Sequence, residues 1–257
     1  MQPCIVYAVH NTIAEEFGDV YAVRVQKRPA EGGGGSAIRA GTMTNRRPLR
    51  SRHRATYRHG DLRRALVDAG IALARQGGPD AVVLREATRR AGVVPNAAYR
   101  HFKSRDDLLH AVRDAALAAL AVTMENELAA MRRDESAADF ARASLRAIGT
   151  AYLRFAQAEP GLFRTAFATR GPAPGEMERA TGGASGLGPF ELLGAALDRL
   201  VSAGVLPSDR RPAAEYLAWS AVHGLAMLVL DGPLRRMTDA ERASVAGRLL
   251  TMVEKGI

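Results

Sequence analysis

Apolar residues recur three and four positions apart along most of the chain after residue 60, and this spacing predicts a protein built from helices. Leu62, Leu66, Ala69, Leu73 and Ala74 form one face of a first helix over 61–76, with Arg63, Arg64 and Asp68 elsewhere around it. Gly77, Gly78 and Pro79 end it. Leu84, Ala87 and Ala91 mark a second helix over 84–91, which Gly92 stops by allowing a left-handed turn. Pro95 opens a third helix over 95–101, because its fixed φ suits a first helical turn where its missing N–H is not needed. Ala98 and Phe102 share one side of it, and Asn96, Tyr99, Arg100 and Lys103 surround the rest. Ser104, with Asp107 three residues on, has the pattern of a capping box for a fourth helix whose Leu108, Leu109 and Val112 face inward.

Beyond it the composition shifts towards alanine and larger apolar residues. Ala111 to Met131 is helix-forming throughout, and Phe140, Leu145, Ile148, Tyr152 and Phe155 mark another helix that stops before Glu159, Pro160 and Gly161. Leu162, Phe163, Ala166 and Phe167 suggest a short helix. Residues 170–189 are rich in Gly, Pro and Ser and read as a loop, after which a helix runs from about Phe190 to Ala203. Ser208 or Asp209 caps a further helix expected to reach Asp231, and its apolar Tyr216 to Leu230 segment predicts burial from two directions. With His223 inside and at this length, it is not a membrane span. Thr238 and Glu241 cap a last helix carrying Val245, Leu249, Leu250 and Val253.

The first 52 residues do not share this patterning. Residues 5–9 and 20–25 could pair as a weak hairpin, but Gly32 to Gly35 and Ser36 form a flexible run, and no secretory signal is present. Met43 is a more natural beginning, so residues 1–42 are expected to be a disordered extension or the product of an upstream start. From Arg46 to Arg58 the chain is basic without an acid, either a solvated tail or an arm that follows phosphates or enters a minor groove. The resulting division is 1–52 as an extension with a basic arm, 53–110 as a small bundle, and 111–257 as a larger helical domain.

Charge narrows the function. The net charge is +9, which favours an anionic partner, nucleic acid first and a membrane surface second. The single Cys4 excludes an internal disulfide framework and a multi-cysteine metal site, and fits a reducing cytoplasm. The two short helices joined at Gly92 have the form of a helix-turn-helix, whose second helix enters the major groove. Tyr99 can donate its hydroxyl to a phosphate, Arg100 can read guanine through paired hydrogen bonds, and Asn96 can read adenine the same way. Tyr99 and His101 could instead pack within the bundle, and Arg100 could be a solvated surface charge.

Residues 57–66 (Tyr-Arg-His-Gly-Asp-Leu-Arg-Arg-Ala-Leu), 84–102 and 103–109 (Lys-Ser-Arg-Asp-Asp-Leu-Leu) together resemble the DNA-binding domain of the tetracycline-repressor (TetR-type) family. Far along the chain, Trp219, His223 and Gly224 resemble the Trp-His-Gly pattern of one C-terminal regulatory domain in that family. The resemblance implies an all-α fold, with a three-helix DNA-binding domain followed by a larger ligand-binding and dimerisation domain. It implies a homodimer, through the last two long helices, on a pseudo-palindromic operator. It places Tyr99 and His101 at backbone contacts and Arg105 at a phosphate. Tyr57, Arg85, Asn96, Ala97, Arg100 and Lys103 complete the expected DNA-facing set. Val94 departs from the family, where Ser or Thr often caps the recognition helix; losing such a cap costs about 1 kcal/mol. Val82, Val83 and Leu84 likewise stand where many relatives carry a hydroxyl.

A small effector would bind inside the second domain, where Met124, Phe140, Tyr152, Phe155, Phe163, Phe167, Trp219, His223 and Met227 are the candidate lining. Aromatic and Met side chains at helical spacing are more often plain core, and Trp219 and His223, four apart on one face, could be structural. His223 lacks a Ser, Cys or carboxylate constellation, so no enzyme is expected, and no cofactor, metal or membrane partner. The expected function is a ligand-responsive transcriptional repressor in the cytoplasm. A DNA-binding nucleoid protein without an inducer is the alternative.

Overall fold

The chain divides into two units, Met1–Thr56 and Tyr57–Ile257. The computed structural model describes residues 59–132, 136–168 and 181–257, all in the second unit. The expected hairpin, the basic run from Arg46 to Arg58, and Tyr57 lie outside the described residues.

The described residues form helices and no strand, as the periodicity predicts: α1 (His59–Gly77), α2 (Leu84–Ala91), α3 (Pro95–Ala98), α4 (Arg105–Ala129), α5 (Ala137–Ala158), α6 (Pro160–Phe167), α7 (Pro189–Ser202), α8 (Ala214–Leu230) and α9 (Asp239–Gly256). Gly92 ends α2 at φ 69° and ψ 28°. Its N–H and that of Val93 donate to the carbonyls of Arg89 and Thr88 at 3.3 and 3.1 Å, closing the helix end with two reversed hydrogen bonds. At the start of α4, the Asp107 N–H donates to Ser104 Oγ at 3.1 Å and the Ser104 N–H donates to Asp107 Oδ2 at 3.2 Å. Thr238 and Glu241 make the same reciprocal pair at α9.

Three expectations are corrected. The third helix is α-helical only over Pro95–Ala98; residues 99–101 continue as a turn, with the His101 and Phe102 N–H groups both donating to the Ala98 carbonyl at 2.9 Å. Val94 supplies no side-chain oxygen for the first turn, and the Tyr99 N–H reaches the Pro95 carbonyl only at 3.4 Å, so little holds the helix beyond one turn. The helix expected from Ser208 starts later. Ser208–Arg210 form a 3-10 turn, Pro212 interrupts the amide donors, and Ala213 takes a left-handed φ of 63° before α8 begins at Ala214. Finally, α8 is not covered on two sides within the chain, since Leu217 is 62% and Leu228 44% exposed.

The interior is continuous. Leu66, Val82, Phe102, Leu108 and Val112 fill it between α1 and the start of α4, and Leu117, Leu120, Phe163, Leu197 and Leu200 fill it beyond. Helix α4 runs through both regions without interruption. Helix α6 packs against both α1 and α4, with Arg75 Nε donating to both Glu159 carboxylate oxygens at 3.2 and 3.0 Å. At its other end, Arg164 grips Asp231 after α8 through Nε and Nη2, at 3.0 and 2.6 Å from Oδ1. Of the loop expected over 170–189, residues 181–188 are described. The backbone N–H groups of Ala184 and Ser185 donate to the Glu125 carboxylate of α4 at 2.7 and 2.8 Å, and Thr181 is buried.

Candidate nucleic-acid interface and aromatic cluster

Helical geometry sorts the side chains of the α3 turn. Ala98 and Phe102, four apart, are buried, which turns Asn96, Tyr99 and Arg100 outward on the opposite face. Tyr99 is 56% exposed, so the packing alternative for its ring is not the one the fold adopts. Lys103 is also exposed, as is Arg85 in the first turn of α2, while Ala97 and His101 are half-buried. The Arg63 guanidinium of α1 lies 5.4 Å over the Phe102 ring and covers the inner side of the turn. Val94, at the head of α3, is 68% exposed, and Val83, at the head of α2, is exposed too. Neither helix start has a side-chain cap.

Arg105 makes contacts that the sequence did not reveal. Its Nε donates to the Val82 carbonyl at 2.9 Å and its Nη2 to the Pro79 carbonyl at 2.7 Å, with Asp80 3.8 Å away. Those carbonyls belong to the 3-10 turn Gly78–Ala81 and the residue after it, which lead into α2. Arg105 thus fastens the start of α4 to the entry of the helix-turn-helix. Arg105→Ala should lower stability by about 1–3 kcal/mol through the two orphaned carbonyls, read as a lower urea midpoint at constant slope. A purely solvent-facing phosphate ligand would leave stability within about 0.5 kcal/mol.

The second feature lies between α5, α6 and α8. Five of the nine candidate pocket residues meet there: Tyr152, Phe163, Phe167, Trp219 and His223. Phe167 and His223 approach edge to face with centroids 4.9 Å apart, and Phe163 and Tyr152 do so at 5.4 Å. The Trp219 indole N–H donates to the Tyr152 hydroxyl at 3.1 Å, and that hydroxyl lies 2.7 Å from His223 Nδ1. Burial raises the Tyr152 pKa far above the usual phenol range, so the phenol keeps its proton. Burial also lowers the His223 pKa, which favours neutral imidazole. Met124 and Phe155 are buried in the same core, Phe155 outside the ring contacts. Phe140 is half-buried with the Arg199 guanidinium 5.6 Å over its ring, and Met227 is exposed on α8, one turn beyond His223.

Two members of the cluster were not in the candidate set. Phe190 meets Trp219 at 6.0 Å and Tyr216 at 5.5 Å, extending the rings towards the surface, where Tyr216 is 48% exposed. Tyr216, three residues before Trp219, could have been found from helical spacing; Phe190 comes from another helix and carried no such signal. Among the described residues, no group of three or more His, Cys, Asp or Glu could hold a metal ion, and no helix is long and apolar enough to cross a membrane.

A helix-turn-helix with an exposed polar second helix, joined through one long helix to a helical body with a buried aromatic cluster, is the architecture of a bacterial helix-turn-helix regulator. The family model for bacterial regulatory proteins of the tetR family matches residues 66–112, and the model for the tetracyclin repressor-like C-terminal domain matches residues 145–253. The chain belongs to the TetR-type family of transcriptional regulators. Three solved structures share the fold. A protein of unknown function from Rhodococcus sp. RHA1 is 24% identical at a TM-score of 0.62, covering 79% of this chain and 98% of its own. The transcriptional regulator FadR from Bacillus subtilis, solved with stearoyl-CoA, is 12% identical at a TM-score of 0.56, covering 76% of this chain and 98% of its own. RolR, solved with resorcinol, is 18% identical at 0.52, covering 76% and 88%. No curated protein matched in the sequence search.

Proposed function

We propose that this protein is a ligand-responsive repressor that binds a pseudo-palindromic operator as a homodimer. The observation that carries the DNA reading is the outward row of Asn96, Tyr99 and Arg100 on a turn anchored by buried Ala98 and Phe102. Those side chains supply an adenine reader, a phosphate donor and a guanine reader on one face. In this reading residues 53–110 are the DNA-binding head and residues 111–257 the regulatory body. The boundary falls inside α4, which makes that helix a shared rod.

Dimerisation is supported by the faces of α8 and α9 left open in the single chain. Leu217, Leu228 and Met252 are exposed there beside Gly224 and Gly247, small residues that let helices approach closely. Two recognition helices related by a two-fold axis read an inverted repeat. The aromatic cluster supports the effector reading, and FadR and RolR were each solved with a small molecule. A ligand that prefers one spacing of the two heads lowers DNA affinity by its differential affinity for that state. A regulator of this kind works in the cytoplasm, without catalysis.

Selection of bound fragments from genomic DNA tests this directly. A short inverted repeat is the expected outcome; diffuse enrichment would favour a nucleoid-type protein, and no enrichment would remove the DNA reading. On the selected operator, Arg100→Ala should cost about 1–3 kcal/mol and relax specificity at one base position per half-site, measured by competition with single-base variants. Equal affinity of parent and variant for all of them would place the base reader elsewhere.

A further inference from the structure

The aromatic cluster has a fixed polarity. An indole N–H can only donate, so the Tyr152 hydroxyl accepts from Trp219, and its own hydrogen is left for His223 Nδ1 at 2.7 Å. Nδ1 is therefore the acceptor nitrogen of a neutral imidazole, and the ring hydrogen sits on Nε2. A proton on Nδ1 would leave the phenol hydrogen facing a donor, so the network itself resists the charged form. Among the described residues Nε2 has no partner, yet it is not among the enclosed side-chain nitrogens that lack one. It is thus reachable from outside the protein interior.

The surroundings of that one donor are rings. Phe163, Phe167 and Trp219 have centroids 4.9–5.9 Å from His223, and Phe190 and Tyr216 continue the rings to the surface. No charged side chain makes a ring contact with Tyr152, Phe163, Phe167, Trp219 or His223 among the described residues. Arg164, on the same helix as Phe163, is committed to Asp231.

We propose that His223 Nε2–H is the inner hydrogen-bond donor of a site for an uncharged aromatic molecule carrying one acceptor oxygen, the class of aryl ketones and aldehydes, with the Tyr216 hydroxyl at its outer edge. The rings touch one another at these separations, so a flat ligand displaces ring–ring contacts and replaces them with offset or edge-to-face contacts of its own. One inner donor selects one acceptor. A carboxylate would enter without a cation to compensate its desolvation. This rests on the reading of the cluster as the effector site and adds to it the chemistry of the effector.

Trp219 is the one tryptophan of the chain and reports on the site itself. Its fluorescence is titrated, without DNA, with 2-ethylnaphthalene, 2-acetonaphthone and 2-naphthoate, absorbance-corrected. The ketone is expected to bind more tightly than the carboxylate. His223→Phe should shift the ketone-to-hydrocarbon affinity ratio about 5–10-fold towards the hydrocarbon, the net worth of one hydrogen bond. His223→Gln, which keeps a donor, should retain part of the ratio, and far-UV circular dichroism with a melting curve confirms that both variants fold. A ratio unchanged in His223→Phe, tightest binding by the carboxylate, or no response to any probe overturns the proposal. Release from the operator is followed separately by mobility shift. Selective binding that leaves the operator complex intact supports the ligand chemistry and removes only the effector role.

Discussion

Phe102→Ala should lower the unfolding free energy by about 3–5 kcal/mol, the range for deleting a buried Phe ring. The effect on operator binding should be larger than any single base contact can account for. Phe102 is 2% exposed and ends the turn that carries Tyr99 and Arg100. That turn has little stability of its own: α3 is four residues long, has no side-chain cap, and is too short to form in isolation. Its orientation depends on what Ala98 and Phe102 bury beneath it, with Arg63 held over the ring from α1. Removing the ring leaves a cavity that a one-turn helix can partly fill only by tilting, which misdirects Asn96 and Arg100. Urea denaturation measures the first part. For the second, operator binding is assayed at a temperature where far-UV circular dichroism shows the variant folded. A folded variant with parental operator affinity would mean that the recognition turn is positioned by something other than its buried side.

The contrast between α2 and α3 explains how much was legible in the sequence. Features set by neighbours a few residues apart were readable: the periodic faces of α1 and α2, the reversal at Gly92, and the reciprocal caps of Ser104 with Asp107 and Thr238 with Glu241. Each is a local balance between backbone geometry and one side chain. Departures arose where a local signal met another element. The Arg105 guanidinium bonds carbonyls 23 and 26 residues earlier, partners that no local pattern beside the fourth-helix start announces. Met227 follows Trp219 and His223 at helical spacing yet is exposed, because spacing along α8 does not show how far neighbouring helices cover that face. Phe190 joins the cluster from α7, and Glu125 holds Ala184 and Ser185 across about sixty residues. Pairings of that kind depend on the assembled fold. Pro212 lacks an amide donor and takes the start of α8 past the expected capping residues Ser208 and Asp209 to Ala214.

Gly161→Ala tests the seam between the two ends of the molecule. In an ordinary helix interior this change stabilises by up to about 1 kcal/mol, because glycine has more backbone freedom to lose. In α6 the sign should reverse. A methyl group on Gly161 would stand 2.1 Å from the Ala74 carbonyl oxygen and 2.9 Å from that of Arg75. Both are backbone atoms of α1, without a flexible side-chain end that could yield. The helices must separate, and a loss of about 2–3 kcal/mol is expected from overpacking, after subtracting the propensity gain. The exposed Arg75–Glu159 pair adjoins this contact but cannot hold it closed, since such pairs contribute at most about 1 kcal/mol. The consequence extends to function because α6 carries Phe163 and Phe167 into the aromatic cluster two and six residues beyond Gly161. A ligand that displaces those rings moves the helix whose start is packed on α1. In the Gly161→Ala protein, operator affinity should therefore depend less on 2-acetonaphthone than in the parent, compared by mobility shift at equal saturation of the Trp219 signal. A rise in stability of about 1 kcal/mol would show that propensity outweighs the contact and that α6 does not bear on α1 closely enough to transmit anything.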